Sequence, residues 1–350
     1  MSQPSRTGSR TSTTLAALAV LSVVGVACSA PASTEGDVPS QSPSTGPIPD
    51  AAELTAYDPA AMPLDLAEES PVETLDDGIE IHDISWASLG TDRVSAWLVV
   101  PPGDGPFAGL VYLHGSETDR DDFLDEAVAM AHGGAASIVM DAPFARTGSS
   151  HKNFLLNFGL AERERDMTAQ TVVDLRRAYD VLLDRGDVDP DRFGFVGHSW
   201  GASLGVVLAA VDERPGSLVI ITARPSWTGF LEAESEGWVR SAHERVGDED
   251  WQQYLSLMAP LDAMAEIDNV DASRLYLQYG TADDVVPEDV SAQLIDAADG
   301  AKSDLYPAPH ALNGDATADR VGWLVERLGL SEVGADVLAE VGLPDQPSSF

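Results

Sequence analysis

Short apolar runs alternate with longer amphipathic stretches over most of the chain. Residues 79–86 and 94–100 alternate apolar and polar side chains, which predicts two strands, and we expect them to pair antiparallel. Residues 121–132 and 163–183 place apolar side chains three and four apart, which predicts amphipathic helices, the first ended by Gly133-Gly134. Further strands are predicted at 110–113, 138–140, 193–196, 218–222, 275–279 and 302–306. Strands that alternate with helices predict an α/β fold with a mainly parallel sheet and helices on both faces.

The first fifty residues do not follow this pattern. Residues 15–27 form an apolar run that is too short to cross a bilayer and is typical of the core of a signal peptide. Cys28 ends this run and is the only cysteine, so no disulfide can form within the chain. Residues 29–50 are rich in Ser, Pro and Thr and predict a disordered tether, because they cannot bury enough apolar surface to offset their ordering entropy. The globular domain is expected at 51–350.

The position of Cys28 resembles the lipid-modified cysteine of bacterial lipoproteins. The resemblance implies a signal peptide at 1–28, lipidation of Cys28, and attachment to the outward face of the cell membrane. Gly25 departs from the resemblance, because a bulky aliphatic residue usually stands at that position. Cleavage after Ala30 or Ala32 by an ordinary signal peptidase, which would release a secreted protein, stays open as the alternative.

The chain is strongly acidic, since 58 Asp and Glu residues against 20 Lys and Arg residues give a formal net charge of −38. Such a surface repels nucleic acid and anionic lipid headgroups. We therefore expect no nucleic-acid partner, and membrane contact only through the lipid anchor. The sequence has neither an H-E-x-x-H motif nor paired cysteines, so we expect no metal site and no cofactor.

The segment Gly197-His198-Ser199-Trp200-Gly201 follows a predicted strand and opens a helix-like apolar run at 202–210. In a tight strand-to-helix turn a serine is held in a strained backbone conformation, and small residues are needed on both sides of it. The G-x-S-x-G pattern alone is weak, and a serine that caps a helix after a glycine turn is the simpler interpretation. A nucleophile at Ser199 requires a histidine and a carboxylate further along the chain.

A serine hydroxyl becomes nucleophilic when a histidine accepts its proton and a carboxylate orients that histidine. Only His243 and His310 follow Ser199, and His310 lies in a loop directly after a predicted strand. The carboxylate is expected after the preceding strand, where Asp283 and Asp284 stand side by side. Asp283 is favoured and Asp284 remains the alternative. The other histidines, including His114 and His198, are expected to be structural.

With these motifs the chain resembles the α/β-hydrolases of the dienelactone hydrolase-like and esterase or prolyl-oligopeptidase-like group. The motifs are Leu113-His114-Gly115-Ser116, the turn around Ser199, the stretch from Gly280 to Pro287, and Pro309-His310. The resemblance implies the α/β-hydrolase fold over residues 79–328 and, at the G-x-x-D position, Asp283 as the triad acid. It also implies an oxyanion hole formed by the backbone N–H groups of Ser116 and Trp200.

Two stretches are expected to face the active site. Residues 224–274 lie where α/β-hydrolases commonly carry a cap insertion, and the aromatic side chains of Trp227, Phe230 and Trp238 either line an acyl pocket or pack the cap against the sheet. Both interpretations remain open. Residues 146–160, with His151 to Phe154 and Phe158, follow the carboxyl end of a parallel strand, where contact with substrate is expected.

Together these features predict a serine hydrolase that cleaves carboxylic esters through an acyl-enzyme, with a small-molecule ester or acyl compound as substrate. A peptidase or thioesterase would use the same triad, so the reaction type is predicted better than the substrate. A non-catalytic, surface-anchored binding protein of hydrolase fold is the alternative from another class, and the complete set of Ser199, Asp283 and His310 argues against it. The sequence does not predict the oligomeric state.

Overall fold

The computed structural model describes residues 47–68, 71–90, 92–149 and 155–344. Its strands are β1 (Ala67–Glu68), β2 (Glu73–Thr74), β3 (Glu80–Ala87), β4 (Arg93–Val100), β5 (Phe107–Leu113), β6 (Ala135–Met140), β7 (Val188–His198), β8 (Pro215–Ile221), β9 (Leu275–Gly280) and β10 (Lys302–Tyr306). Its α-helices are α1 (Ala51–Leu54), α2 (Leu124–Gly133), α3 (Ala161–Asp184), α4 (Trp200–Val211), α5 (Trp227–Ala233), α6 (Gly237–Val246), α7 (Asp248–Met258), α8 (Ala263–Glu266), α9 (Glu288–Ala297), α10 (Gly314–Leu328) and α11 (Ala335–Leu338).

The described strands form one sheet in the order β1-β3-β4-β6-β5-β7-β8-β9-β10, with β2 paired to β3. Strands β5 to β10 are mutually parallel, whereas β3 and β4 pair antiparallel with Glu80 opposite Val100, and β4 runs antiparallel to β6. The prediction of a mainly parallel sheet with an antiparallel pair at its start is confirmed. Because the parallel strands share one direction, their carboxyl ends meet at one edge of the sheet.

Helices cover both faces of the sheet, as the sequence predicted. On one face α3 and α4 contribute Val172, Leu175 and Val206 to a buried core. On the other face α2 and α10 contribute Met130 and Leu324. All residues of β5, β6 and β9 are buried, which is why these strands are continuous apolar runs rather than alternating ones.

The N-terminal part of the described chain is bound to α3 through polar contacts. The guanidinium of Arg177, which is fully buried, donates to the carbonyls of Met62 and Pro63 at 2.9 and 3.1 Å. The hydroxyl of Tyr57 donates to the carboxylate of Asp180 at 2.8 Å. These contacts attach the segment before β1 to the carboxyl-terminal half of α3.

The insertion at 224–274 is helical and contains α5 to α8. Side chains of α5 to α7 form a small core of their own, to which Phe158 and Ala161 at the start of α3 also contribute. The α8 region, through Ala263 and Ile267, belongs to the core of the sheet instead. The ring of Phe158 lies 4.8 Å from that of Trp251 and 4.7 Å from that of Tyr254, between centroids. The insertion therefore packs on the start of α3 and lies above the sheet edge as a cap.

Candidate active site

Ser199 lies at the turn between β7 and α4, at the carboxyl edge of the sheet. Its backbone has φ 54° and ψ −116°, a conformation that costs a residue with a Cβ about 1–3 kcal/mol. The turn is fixed on both sides, because the N–H of Ser199 donates to the carbonyl of Ile221 at 2.8 Å and its carbonyl accepts from the N–H of Ser203 at 3.0 Å. Strain held in this way is typical of a nucleophile elbow rather than of a helix cap, and the Ser199 side chain makes no capping hydrogen bond.

The two glycines of the motif are required by close backbone contacts. A Cβ at Gly201 would lie 2.5 Å from the carbonyl oxygens of Leu113 and His114, and a Cβ at Gly197 would lie 2.7 Å from the carbonyl oxygen of Gly201. No side chain fits at those distances without movement of the backbone. The pattern G-x-S-x-G is thus explained by the packing of the turn against the end of β5.

Asp283 and His310 are hydrogen bonded to each other. The Nδ1 atom of His310 lies 2.7 Å from Oδ2 of Asp283, and both side chains are almost fully buried. The other oxygen of Asp283, Oδ1, accepts from the N–H groups of Val285 and Val286 at 2.7 and 2.8 Å. The neighbouring Asp284 is exposed, so the structure places Asp283 and not Asp284 against the imidazole.

The Nε2 atom of His310 is buried and has no hydrogen-bond partner among the described residues. Since Nδ1 faces Asp283, Nε2 is the nitrogen left to exchange a proton with a substrate or nucleophile. The loop that carries His310 is fixed by Gly280, where a Cβ would lie 2.3 Å from the carbonyl oxygen of Ala308. The ends of β9 and β10 thus hold the acid and the histidine in contact.

His114 and His198 are buried next to this pair and have structural partners. Nε2 of His114 accepts from the N–H of Ala142 at 3.0 Å, so its Nδ1–H donates to the carbonyl of Gly115 at 2.7 Å. Nε2 of His198 lies 3.3 Å from the carbonyl oxygen of His310. Burial, reinforced by the neighbouring His310, lowers the pKa of His198 to about 3, so this ring is neutral at physiological pH.

Ser116 and Trp200, the expected oxyanion donors, lie close to Ser199 along the chain or in space. Trp200 is the first residue of α4, and the first N–H groups of a helix have no partner within the helix. A Cβ at Gly115 would lie 3.5 Å from the Cβ of Ser199, which places the 114–116 segment against the nucleophile. Ser116 and Trp200 both line the cavity described next. The arrangement is suited to hold a negative oxygen near Ser199.

A cavity of about 570 Å³ lies between the sheet edge and the cap. Its apolar wall is formed mainly by aromatic and leucine side chains, and its polar wall includes carboxylates and hydroxyls. The lining residues that matter below are Phe144, Leu155, Leu156, Glu164, Trp200, Trp227, Tyr254 and Asp262. No Lys or Arg is among the described residues that line it, so the cavity favours neutral over anionic compounds.

The three aromatic residues predicted as pocket candidates have different surroundings in the structure. Trp227 lines the cavity, whereas Phe230 and Trp238 do not. The last two pack at the edge of the cap core, with ring centroids 5.9 Å apart. Their side chains stabilise the cap, because a large apolar ring contributes most when it is packed against other side chains.

Two residues of the site were not predicted from the sequence. Glu164 in α3 lines the cavity and accepts from the N–H groups of Leu156 and Asn157 at 2.8 and 2.7 Å and from the hydroxyl of Tyr254 at 2.9 Å. Burial raises the pKa of Glu164 to about 7, and this effect outweighs the three hydrogen bonds, which lower the pKa. Arg224 is the second. Its position three residues after the end of β8 was the available signal. For Glu164 there was none, because an acid within an amphipathic helix is ordinary.

Some predictions lie outside the described residues. These are Cys28, the signal peptide at 1–28, most of the tether at 29–50, and His151 to Phe154 of the second stretch. In the described part of the chain no helix is long and apolar enough to cross a membrane. No cluster of three or more metal-ligating side chains is found in that part either.

Comparison with known proteins gives two overlapping family matches. The model of the acetyl xylan esterase (AXE1) family matches residues 60–224, and that of the prolyl oligopeptidase family matches residues 160–308. An uncharacterised protein of Mycobacterium tuberculosis (strain H37Rv) is 25% identical over 256 residues, which are 73% of each chain.

Two solved structures share the fold at low sequence identity. The acetyl xylan esterase from Paenibacillus sp. R4 superposes with a TM-score of 0.65 at 19% identity, over 79% of this chain and 92% of that one. The acylaminoacyl peptidase of Pyrococcus horikoshii superposes with a TM-score of 0.57 at 16% identity, over 74% of this chain but 43% of that one. The likeness to the esterase thus extends over nearly the whole of that protein.

Proposed function

We propose that this chain, an enzyme of the α/β-hydrolase fold, hydrolyses carboxylic esters through an acyl-enzyme on Ser199. The observation that carries the proposal is the Asp283–His310 pair, at 2.7 Å, at the same edge of the sheet as a serine in a strained strand-to-helix turn. Because the family models matched are those of hydrolases, and the esterase neighbour is covered almost completely, we place the activity with esters.

The proposed mechanism assigns one role to each of these groups. His310 Nε2 takes the proton of the Ser199 hydroxyl while the serine oxygen attacks the carbonyl carbon of the ester, and the charge that develops on the carbonyl oxygen is held by the N–H groups of Ser116 and Trp200. The imidazolium is stabilised by Asp283 and returns the proton to the leaving alkoxide. Water, deprotonated by His310, then releases the acid and restores the Ser199 hydroxyl.

The substrate class follows from the cavity and from the family match. We place short acyl esters of neutral, hydroxylated compounds first, with acetylated carbohydrate as the leading class, because the AXE1 model matches the chain and the cavity lining carries carboxylates and no basic side chain. Carboxylates in such a wall can accept hydrogen bonds from substrate hydroxyls. The preference for a short acyl group rests on the AXE1 match alone.

Hydrolysis of p-nitrophenyl esters of increasing acyl length by the full chain, together with release of acetate from an acetylated xylo-oligosaccharide, tests the proposal. We expect the highest kcat/KM with acetate or propionate and a loss of roughly 10⁶-fold in kcat for Ser199→Ala. Turnover that survives Ser199→Ala would contradict the mechanism. A wild-type enzyme that cleaves only peptide p-nitroanilides would instead support the peptidase alternative, which the prolyl oligopeptidase match favours.

We also propose that the enzyme is exported and held at the cell surface by a lipid on Cys28. The apolar run that ends at the only cysteine supports this, and the Ser, Pro and Thr-rich segment after it is of a composition that serves as a tether. Labelling with palmitate in a bacterial host tests it. Label that is incorporated into the wild type and lost in Cys28→Ser supports the anchor, whereas an unlabelled protein in the medium supports free secretion.

A further inference from the structure

Arg224 stands out among the buried cations of the described chain. It follows β8 at the carboxyl edge of the sheet and is 7% exposed. Two other buried arginines are paired with carboxylates, Arg146 with Asp174 and Arg320 with Glu126. The buried Arg177 has no carboxylate partner among the described residues, but all three of its guanidinium nitrogens donate to backbone carbonyls. For Arg224, no carboxylate among the described residues lies within ion-pair distance, and its Nε is buried without a hydrogen-bond partner there. In a chain with 58 acids and 20 bases, an unpaired buried guanidinium requires an explanation.

Two aromatic rings of the cap hold the guanidinium. Its central carbon lies 4.1 Å from the ring centroid of Phe230 and 5.0 Å from that of Trp227. The two rings are nearly perpendicular, at 89°. Both belong to α5, and Asp262 fixes the start of this helix by accepting from the N–H of Trp227 at 2.8 Å. The cap therefore determines where the Arg224 side chain lies.

The opposite side of the guanidinium contacts the loop of the triad acid. Nη2 of Arg224 donates to the carbonyl of Val285. The N–H of Val285 donates to Oδ1 of Asp283, whose Oδ2 faces His310. The N–H of Val286, which belongs to the same peptide unit as the Val285 carbonyl, donates to the same oxygen of Asp283 at 2.8 Å. A continuous set of contacts thus leads from the cap rings through Arg224 and the Val285–Val286 peptide to Asp283.

We propose that Arg224 is a positioning residue that couples the cap to the catalytic acid, by holding the loop from Asp283 to Val286 in the geometry that orients His310. The inference rests on the proposed esterase function. Arginine suits this role because its planar group can stack on aromatic rings and donate from its edge at the same time, which a lysine ammonium cannot. Burial lowers the pKa of Arg224 to about 10, opposed by the charge of Asp283, so the group stays cationic at neutral pH.

The test compares Arg224→Met and Arg224→Lys with the control Arg240→Met, on p-nitrophenyl acetate. Arg240 also lies in the cap, but it is exposed and donates to the backbone carbonyls of Glu234 and Ser235. For Arg224→Met we expect kcat to fall by about 10²-fold with KM changed less than about threefold, because the acid is misplaced while the cavity is kept. For Arg224→Lys we expect a kcat less than about tenfold higher than that of Arg224→Met. Arg240→Met is expected to keep the wild-type kcat.

A second readout does not depend on turnover. The proton shared between His310 Nδ1 and Asp283 is expected to give a low-field NMR resonance, identified by its loss in Asp283→Asn. We expect this resonance to be broadened or lost in Arg224→Met and retained in Arg240→Met. If Arg224→Met does not fold, Phe230→Leu removes the closer ring and is expected to lower kcat by about threefold to tenfold.

Three outcomes would overturn the inference. Unchanged kcat and an unchanged low-field resonance in Arg224→Met would show that the acid loop does not need the guanidinium. A rise in KM confined to an anionic ester, mono-p-nitrophenyl succinate, would assign Arg224 to a substrate carboxylate instead. Equal loss of kcat in Arg240→Met would indicate a general effect of the cap. Absence of esterase turnover in the wild type would contradict the proposed function, while the low-field resonance would still report on Arg224.

Discussion

The elbow at 197–201 and the cap at 224–274 are held in place by different kinds of contact. At the elbow, backbone atoms approach so closely that Gly201 has no space for a Cβ. In the cap, helices α5 to α7 are held by side-chain contacts around a small apolar core that includes Trp251 and Tyr254. Backbone contacts of this kind allow few sequences, whereas an apolar core tolerates many substitutions that keep its volume.

This difference separates the chemistry of the enzyme from its choice of substrate. The proposed catalytic residues, Ser199, Asp283 and His310, all lie just after strands, in turns that backbone contacts hold. The cavity wall, by contrast, is completed by cap residues such as Trp227 and Tyr254. Changes at the strand ends are therefore expected to abolish catalysis, and changes in the cap to adjust specificity or stability.

After Ser199→Ala, the largest effect is expected at the strand end that carries Asp283. Asp283→Asn removes the carboxylate that orients His310, and we expect kcat to fall by about 10⁴-fold, as when a triad acid is replaced by its amide. Asp284→Asn is the matched control, because Asp284 is adjacent but exposed, and we expect kcat within about twofold of the wild type. Steady-state kinetics on p-nitrophenyl acetate measure both. Similar losses in the two variants would contradict the assignment of the acid.

The strand ends were also the part of the molecule that the sequence predicted best. Continuous apolar runs are readable as buried strands, and β5, β6 and β9 lie where those runs are. Once the strands are placed, a parallel sheet brings their carboxyl ends together, so the Ser199, Asp283 and His310 loops were expected at one edge. The prediction needed a few short motifs and the direction of the strands.

The cap residues could not be predicted in the same way. An aromatic side chain in a helix has the same sequence signal whether it lines a cavity, as Trp227 does, or packs a core, as Trp238 does. Glu164 and Arg224 carried no motif, because their roles depend on partners 61 to 90 residues away, Val285 for Arg224 and Tyr254 for Glu164. Contacts over such separations are set by the tertiary fold.

The next largest effect concerns the attachment of the cap to α3 through Glu164. Its pKa rises from 4.5 to about 7 on burial, so between these pH values the folded protein holds this proton more tightly than the unfolded chain does. The free energy of unfolding is therefore expected to fall as pH rises through this window, by about 3 kcal/mol from this group. Chemical denaturation from pH 4 to 8 measures it.

Two variants separate this contribution from those of the other carboxylates. The side chain of Glu164→Gln cannot titrate, so this variant lacks the contribution of Glu164 to the pH dependence. Between pH 4 and 8 we expect it to lose about 3 kcal/mol less unfolding free energy than the wild type loses. It is also expected to be less stable at low pH, because an amide accepts fewer of the three hydrogen bonds. Glu162→Gln, exposed in the same helix, is expected to retain the wild-type pH dependence. Parallel profiles for the wild type and Glu164→Gln would rule out Glu164 as the source.

The smallest of these effects is expected where a single methyl group is added at the elbow. The Cβ of Gly201→Ala would lie 2.5 Å from two backbone carbonyl oxygens, so the turn must move, and we expect a loss of about 2 kcal/mol of stability. Gly322→Ala is the matched control, because a Cβ there, on the exposed face of α10, meets nothing within 4 Å. It is expected to stabilise the protein by about 0.5–1 kcal/mol, since alanine is the better helix former.

Thermal unfolding of both glycine variants, together with kcat for each, tests whether close backbone contact holds the elbow in place. The movement forced by Gly201→Ala displaces Ser199, so its kcat is expected to fall by about 10²-fold, whereas that of Gly322→Ala stays unchanged. A Gly201→Ala enzyme with wild-type stability and kcat would show that the end of β5 can shift to make room. In that case the backbone around the nucleophile would be as adaptable as the apolar core of the cap, and packing density alone would not explain why glycine stands at that position.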